Sequence, residues 1–220
     1  MNHAATAAQA DITLHGTLYS GHCHRVRLLL SMLDLPHRLV EAGAPQRKTE
    51  QFLRLNPLGQ IPVLQDGELV LSDSNAIMTY LVQRYAPASN WLSQDPVIAA
   101  QIQRWLSVSA GELKYGPCTA RIALQWGNPD DAVIATDIAH KLLSFMDGYL
   151  DGRLYLATDH ATLADLACYS YIAHAPEGRI PLEAYPHVRA WLARVEALPG
   201  FEAMPPLPVP LATTATSAAA

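Results

Sequence analysis

LNPLGQIPVL, residues 55–64, is followed by QDGE, residues 65–68, and by LVLSDSNAI, residues 69–77, and this stretch decides the fold. Its Asp-Gly pair lies between two short apolar runs, a pattern typical of a β-hairpin. Apolar residues then recur at helical spacing, which predicts a helix from Ser74 to Tyr85. An antiparallel hairpin followed by a helix is therefore expected at the end of an α/β unit.

Strands and helices alternate ahead of this hairpin. Short strands are predicted at 12–15 and 38–41, and a strongly apolar helix is predicted between them at 26–33. The resulting order, β-α-β-(α)-β-β-α, is that of a thioredoxin-like domain.

The pattern changes once, after Tyr85. Pro87 and Asn90 indicate a linker, and no good strand follows it. Helical periodicity is found instead in four segments: 96–115, 131–150, 162–173 and 188–198. Strands followed by helices predict two domains, a thioredoxin-like domain at 11–86 and an all-helical domain at 94–204, with a loose arm at 1–10 and a loose tail at 205–220.

Composition limits the classes of function. Half of the 220 residues are hydrophobic and 16% are charged, which is typical of a chain with a buried core. The net charge of −5 argues against a nucleic-acid partner, because phosphate contacts need clustered cations. Cys23, Cys118 and Cys168 are widely spaced, which favours a reducing compartment. No run of 18 apolar residues and no secretory signal is present, so we expect a cytoplasmic protein without a membrane partner.

A first candidate site lies between the first strand and the first helix, in the run Tyr19–Arg27. A helix N-terminus stabilises an anion and lowers the pKa of a thiol placed there. Ser20 can add a hydroxyl donor toward such a thiolate. Taken alone, the motif favours a simpler interpretation, in which Ser20 only caps the helix.

Two further candidate sites come from the fold-deciding stretch. Pro62 begins a strand, and a cis Ile61–Pro62 bond would turn the Ile61 backbone outward to pair with an extended peptide, although base rates favour trans. At the next helix start, Ser74 and the free amides suit a carboxylate, and Asp73 suits an ammonium group. The alternative is again an N-cap, with Asp73 favouring the helix dipole.

In this order and spacing, SGHCHRVRLLL (20–30), LNPLGQIPVL (55–64) and SDSNAI (72–77) resemble the glutathione-binding half of the cytosolic glutathione S-transferases. The run 175–201 resembles the end of bacterial members, and the likeness extends over about 12–204. It implies an α/β thioredoxin-like N-terminal domain, an all-α C-terminal domain and glutathione as co-substrate.

The resemblance also implies roles for individual residues. Ser20 matches the serine that donates to the glutathione sulfur in the serine-type classes. The other glutathione contacts that it implies are the Ile61 backbone with cis-Pro62 for the cysteinyl part, Asp73 and Ser74 for the γ-glutamyl end, and Lys48, beside Arg47, with Gln60 for the glycyl carboxylate. Asp73 stands where glutamate is commoner in the family.

Two neighbours of Ser20 are rivals at the sulfur. Tyr19 would serve in a tyrosine-type enzyme, but those classes place the tyrosine at the position of Gly16 here. Cys23, if its pKa were low, would form a mixed disulfide and make the protein a thiol transferase; the alternative is a small buried residue. Adjacent side chains on a helix diverge, so His22, Cys23 and His24 are not expected to bind a metal.

The resemblance implies conjugation of the glutathione thiolate to a hydrophobic electrophile, a detoxification reaction, in a homodimer. Glutathione-dependent disulfide reduction or peroxide reduction, and a non-catalytic binding module, remain as alternatives. The second substrate is expected between the domains, beside Ser107, Ala110, Gly111, Lys114 and Tyr115, with Tyr115 polarising the electrophile. Thr162 and Asp165 have the spacing of a capping box, which indicates a folding role.

Overall fold

The computed structural model describes residues 11–209. The first half contains four strands and three helices, in the order β1 (Ile12–Gly16), α1 (Gly21–Met32), β2 (His37–Glu41), α2 (Glu50–Leu55), β3 (Val63–Asp66), β4 (Leu69–Ser72) and α3 (Ser74–Tyr85). The second half contains α4 (Pro96–Ala110), α5 (Thr119–Trp126), α6 (Ala132–Leu150), α7 (Leu163–Ala173) and α8 (Pro186–Glu196). A π-helical stretch, Lys114–Cys118, joins α4 to α5.

The four strands form one mixed sheet in the order β2-β1-β3-β4. β1 and β2 are parallel, and the other two pairs are antiparallel. This order confirms the predicted β-α-β unit followed by a hairpin.

The first strand of the hairpin begins two residues later than the sequence predicts, at Val63 and not at Ile61, while the second begins at Leu69 as predicted. Ile61 and Pro62 lie outside the ladder, and β3 begins at Val63, which pairs with His15 of β1. The loop is Gly67-Glu68, and Gly67 has a φ of +57°, which a glycine adopts without steric cost. Pairing with β1 therefore decides where the strand starts, since Pro62 has no N–H to contribute to a ladder.

Helix α5 is absent from the sequence-based prediction. The segment predicted as one helix at 96–115 ends as an α-helix at Ala110, and the chain then continues through the π-helical stretch into α5. Gly116 and Pro117 suggest a break, but here Pro117 lies inside the π-helical stretch, which keeps the chain helical.

One apolar core joins the two halves of the chain. Helix α1 packs against α7, and the same cluster holds Leu14 and Leu28 from the first half and Trp105 and Ile172 from the second. All four side chains are fully buried. The sheet and α1 are therefore held against α7, and the end of β1 is placed beside the helical half.

The described part of the C-terminal tail, residues 205–209, is attached to the protein, although the sequence predicts a loose tail. Residues 205–209 form no regular element, but the Leu207 amide donates to Glu177 Oε1 (2.8 Å) and the Pro208 carbonyl accepts from Gln125 (2.9 Å). This part of the expected loose tail is thus attached to the helical half. The arm 1–10 and residues 210–220 lie outside the described residues. Between residues 11 and 209, no helix is both long and apolar enough to cross a lipid bilayer.

Candidate active site

The register of the sheet brings the three sequence-predicted sites to one edge. His15 pairs with Val63, and Val63 pairs with Ser72, so the end of β1, the start of β3 and the end of β4 coincide. Because β2 runs parallel to β1, with Gly16 opposite Glu41, the segment after β2 leaves the sheet at the same edge. Pro62 directly precedes β3 and Asp73 directly follows β4, while Ser20 and Lys48 lie in the segments that follow β1 and β2.

Ser20 is the N-cap of α1. Its Oγ accepts the backbone N–H of Cys23 at 3.3 Å, and its backbone is extended, as N-caps require. The hydroxyl oxygen accepts this bond through a lone pair, so the hydroxyl proton stays available for another acceptor. The first turn of α1 carries no acidic residue, so the positive end of the helix dipole is not neutralised there. Capping and donation to an anion are therefore compatible.

Cys23 is buried and points into the fold. A Cβ at Gly16 would lie 2.5 Å from Cys23 Sγ, so the two residues are packed face to face. Burial raises the pKa of the Cys23 thiol, although the Ser20 hydroxyl and other hydrogen bonds oppose this. The thiol is therefore a small core side chain, and the low-pKa nucleophile considered above is not supported.

Tyr19 does not lie in the core. Its side chain is 43% exposed, and its backbone carbonyl accepts a hydrogen bond from Arg121 at 2.8 Å. The position that tyrosine-type enzymes use is Gly16, where a side chain would collide with Cys23. Of the hydroxyls around this loop, that of Ser20 lies at the helix N-terminus.

The two histidines beside Cys23 have separate partners. The His22 ring meets the Tyr171 ring edge-on, with centroids 5.0 Å apart. His24 Nε2 donates to the Glu202 carbonyl (2.7 Å), and its Nδ1 is hydrogen-bonded to the Ser170 hydroxyl (2.8 Å). Burial lowers the pKa of His24 to about 4 and holds the pKa of His22 well below its ordinary value. Both rings are neutral at physiological pH and help to pack α1 against α7.

The Ile61–Pro62 peptide bond is cis. Ile61 is half-buried and stands just before the ladder. The loop that leads to it is held by Asn56, whose side chain donates to the Gln60 carbonyl (2.9 Å) and accepts from the Leu58 amide (3.2 Å). The Gln60 side chain is exposed at the mouth of this loop.

Asp73 is the N-cap of α3. Its Oδ1 accepts the amides of Asn75 (2.9 Å) and Ala76 (3.0 Å), and its φ of +74° is unusual for a non-glycine residue. Strained backbone of this kind clusters at functional sites. Within residues 11–209, Oδ2 has no hydrogen-bond partner, so the carboxylate can cap the helix and still accept a cation. Ser74, next along the chain, is buried.

Two cations lie at the opposite end of this edge. Lys48 and Arg47 line a depression of about 390 Å³ together with Leu58 and Gly59. Arg47 Nε is buried and has no partner among the described residues. Two adjacent positive charges, one of them with an unused donor, suit a carboxylate.

Buried behind Asp73 is a cation that sequence reasoning did not identify. Arg25, on α1, is 1% exposed, and it donates to Asn75 Oδ1 (3.1 Å) and to Ser109 Oγ (3.4 Å). Its Nε and Nη2 have no partner in the described part of the chain. The charge alone would have been a signal, since an arginine on the apolar face of α1 needs a partner.

The predicted second-substrate residues do not share one wall. Ser107 and Ala110 line a groove of about 510 Å³ between α3 and α4, which also includes Asp73 and Tyr80. Gly111 ends α4, and Tyr115 projects into solvent from the π-helical stretch, with the Lys114 ammonium over its ring.

Sequence reasoning also missed Arg121 and its surroundings, because it missed α5. Arg121 is buried, and its guanidinium lies 5.2 Å from the centre of the Trp126 ring, which is 58% exposed. The same guanidinium donates to the Tyr19 carbonyl, so it contacts both Trp126 and the loop before Ser20. Ile122 and Leu18 are further exposed apolar side chains on these two segments.

Comparison with known proteins identifies the family of the chain. Residues 14–89 match the family model of the glutathione S-transferase N-terminal domain, and residues 124–199 match that of the C-terminal domain. The chain is 33% identical to glutathione S-transferase 3 of Zea mays, over 94% of this chain and all of the relative. It is 32% identical to a glutathione S-transferase of Hyoscyamus muticus, over 86% of this chain and 94% of the relative. The chain belongs to the glutathione S-transferase family.

Solved structures show the same fold. A glutathione S-transferase from Pseudomonas fluorescens Pf-5 superimposes with a TM-score of 0.83 at 28% identity, over 88% of this chain and 98% of the other. A glutathione transferase homologue from Drosophila mojavensis, solved with bound glutathione, gives a TM-score of 0.77 at 26% identity, over 86% and 89%. The protein therefore has the glutathione S-transferase fold, a thioredoxin-like half followed by a helical half, and like its relatives it is an enzyme.

Proposed function

We propose that this enzyme is a serine-type glutathione transferase, which binds glutathione along the sheet edge and conjugates its thiolate to a hydrophobic electrophile. The observation that carries the proposal is the shared register of His15, Val63 and Ser72, which gathers the three candidate sites. The charges along this edge match an extended glutathione: two cations, Lys48 and Arg47, at one end and the free carboxylate oxygen of Asp73 at the other.

Each part of glutathione has a partner in this arrangement. The glycyl carboxylate pairs with Lys48 and Arg47, with Gln60 nearby. The cysteinyl backbone pairs with the Ile61 backbone beside cis-Pro62, which lies outside the ladder. The γ-glutamyl ammonium binds Asp73, and its carboxylate binds Ser74 at the start of α3. This arrangement leaves the cysteinyl sulfur facing the start of α1.

Ser20 then acts as a hydrogen-bond donor and not as a nucleophile. Its hydroxyl proton and the amides at the start of α1 stabilise the thiolate over the thiol, which lowers the pKa of bound glutathione. The thiolate attacks the electrophilic carbon, a carbon–sulfur bond forms, and the leaving group departs with the electron pair of its bond. Activation and positioning of the thiolate are the enzyme's contribution.

The hydrophobic co-substrate would meet the sulfur from the side of the helical half. We keep Gly111 and Tyr115 as proposed contacts, whereas Ser107 lines the groove between α3 and α4. The exposed apolar side chains of Leu18, Tyr19, Ile122 and Trp126 add a surface that flanks the loop before Ser20. An aromatic and aliphatic surface of this kind suits a planar, apolar electrophile.

Three proteins test the proposal: the wild type, Ser20→Ala and Cys23→Ser. We would measure glutathione binding, then initial rates with an aryl halide, a peroxide and a small disulfide. The proposal expects aryl-halide turnover that falls in Ser20→Ala and persists in Cys23→Ser. Turnover of the peroxide or the disulfide alone would identify a reductase, and glutathione binding without any turnover would identify a binding module.

Further parts of the assignment are inferences from the family. We infer a bacterial-type member with a role in detoxification, a homodimer, and two domains at 11–86 and 94–204. The groove between α3 and α4 supports the dimer, because it offers a concave surface to a second copy, and sedimentation equilibrium would test it. A cytoplasmic location is supported by the three free cysteines, all buried, as is usual in a reducing compartment.

A further inference from the structure

The loop before Ser20 is held by a cation from the other half of the chain. Arg121 lies on α5, 102 positions away from Tyr19, and its Nη1 donates to the Tyr19 carbonyl at 2.8 Å. The arginine side chain is 1% exposed. A charged donor in a dry environment makes a stronger hydrogen bond than a neutral one, so this contact fixes the carbonyl firmly.

Arg121 is held in turn by Glu177. Arg121 Nε donates to Glu177 Oε2 at 2.6 Å, and the carboxylate is 5% exposed. The other oxygen, Oε1, accepts from His174 Nδ1 (2.6 Å) and from the Leu207 amide (2.8 Å). Burial by itself would raise the pKa of Glu177, but these hydrogen bonds together hold its pKa below the ordinary value. The carboxylate is thus ionised and fully engaged.

The backbone around Glu177 is arranged so that this ion pair can form. The short helix Ala175–Gly178 lies directly against α5, and a Cβ at Gly178 would come within 2.8 Å of the Arg121 amide nitrogen. A contact with backbone at that distance cannot be relieved by a side-chain rotation. Glycine at 178 is therefore what allows Glu177 to approach Arg121.

The C-terminal segment completes the chain of contacts. Leu207 donates its amide to Glu177, and Gln125, one turn after Arg121, donates to the carbonyls of both Glu177 (3.0 Å) and Pro208 (2.9 Å). An unbroken series of hydrogen bonds therefore leads from the segment 205–208 through Glu177 and Arg121 to the peptide group before Ser20.

We propose that Arg121 is a positioning residue of the sulfur site, that it orients Ser20 through the Tyr19 carbonyl, and that Glu177 and residues 205–208 hold it in place. This inference rests on the proposed function, in which the Ser20 hydroxyl binds the glutathione sulfur.

The physical basis is the planarity of the peptide bond. The Tyr19 carbonyl, the Ser20 amide and the Ser20 Cα belong to one rigid plane, so fixing the carbonyl fixes the position of that Cα. The N-cap geometry of Ser20, with its bond from the Cys23 amide, then sets the direction of the side chain. A hydrogen bond to a thiolate weakens steeply when its angle departs from linear. Sites of this kind work within about 0.5 Å of their productive geometry, so a loosened Tyr19–Ser20 peptide would bind glutathione but activate it less.

The test measures the pKa of the enzyme-bound thiol, through the ultraviolet absorbance of the thiolate as a function of pH, alongside the Kd of glutathione and kcat. Arg121→Gln removes the positive charge and the guanidinium donors that join the Tyr19 carbonyl to the Glu177 carboxylate. We expect it to raise the pKa of the bound thiol by about one unit and to lower kcat about tenfold. The Kd should change by less than about threefold, because the contacts at both ends of glutathione stay in place.

A matched pair of variants tests the C-terminal part. Leu207→Pro removes the amide proton that Glu177 accepts, and Leu207→Ala keeps it. We expect the pKa of the bound thiol to rise in Leu207→Pro, but by less than in Arg121→Gln, and not to rise in Leu207→Ala. These two also keep the proposal testable if Arg121→Gln fails to fold, because neither substitution removes a buried charge.

Two further variants separate the possible failures. Tyr185→Phe deletes the hydrogen bond to His140 elsewhere in the helical half, and so measures what a loss of stability alone does to the thiol. A bound-thiol pKa that does not move in Arg121→Gln and Leu207→Pro, but does rise in Ser20→Ala, would overturn the positioning role and leave the proposed function intact. If Ser20→Ala does not raise it either, the proposed function itself is wrong.

Discussion

Two helices begin at the same edge of the sheet, and their N-caps differ in charge: one is neutral and the other is negative. Ser20 caps α1 with a neutral oxygen that accepts one amide and keeps a proton to donate. Asp73 caps α3 with one carboxylate oxygen that accepts two amides, and its second oxygen keeps a negative charge. The first suits a thiolate and the second an ammonium group. A cap and a ligand contact are thus two uses of one side chain, and evidence for the first does not argue against the second.

A third cap shows what a purely structural cap looks like. Thr162 begins α7, and the predicted capping box with Asp165 is confirmed. Both residues are buried, and both oxygens of Asp165 are occupied: Oδ1 by the Leu156 amide and Trp191 Nε1, and Oδ2 by the Thr162 amide. No oxygen is left for a ligand.

The largest effect is expected at the structural cap. Asp165→Ala leaves the Trp191 and Leu156 donors buried and without partners, so we expect the free energy of unfolding to fall by about 3 kcal/mol. Urea denaturation measures it. Below the melting temperature kcat should be unchanged, and a large loss of kcat in folded Asp165→Ala protein would mean that this cap is not purely structural. Asp165→Asn, which keeps one acceptor oxygen, should be less harmful.

Ser20→Ala tests the neutral site cap. Loss of one preorganised donor to a developing anion typically reduces a rate about a hundredfold, and we expect that loss in kcat/KM for an aryl halide. The loss of the cap should also reduce stability by about 1 kcal/mol. Ser20→Thr keeps both the hydroxyl and the cap and should retain most of the rate. Equal rates for Ser20→Ala and the wild type would show that the hydroxyl only caps α1.

Asp73→Asn removes the charge of the α3 N-cap but keeps an oxygen that can cap the helix. Asparagine still accepts the two amides and tolerates the positive φ, so the melting temperature should change little. The ammonium partner is lost, and glutathione should bind about tenfold more weakly, with a smaller change in kcat. Calorimetric titration with glutathione measures this. A large fall in melting temperature without weaker binding would show that Asp73 only caps α3 and does not bind the ammonium group.

The smallest effect concerns His24, which packs one turn beyond the Ser20 cap. Burial lowers the pKa of His24 to about 4, below its unfolded value, so the unfolded chain takes up a proton first as the pH falls. The contribution of His24 to the free energy of unfolding should therefore fall with decreasing pH, by about 1 kcal/mol between about pH 7 and about pH 5.5. In His24→Gln that pH dependence should be weaker. A pH dependence identical to that of the wild type would indicate another group, with His22 the next to test.

Local signals in the sequence were sufficient for much of the fold. Helix α3 has the predicted bounds, Ser74–Tyr85, because its start is a cap and its apolar face is periodic. The hairpin was found, but its first strand starts two residues later than predicted, since that start depends on pairing with β1. Helix α5 was missed, because Gly116 and Pro117 are helix breakers by propensity. The π-helical stretch that contains them packs against α6 and α7, a tertiary contact that no local pattern reveals.

By itself, the sequence determined which side chains are candidates for binding glutathione and the order in which they occur. Capping, turn formation and periodicity act over a few residues, so they can be identified without knowledge of the rest of the chain. Only the tertiary structure decided that Cys23 is buried against Gly16, that Oδ2 of Asp73 is left unused, and that Arg121 reaches both Glu177 and the loop before Ser20. Those facts depend on burial and on contacts between segments far apart in the chain, where no local pattern carries the information.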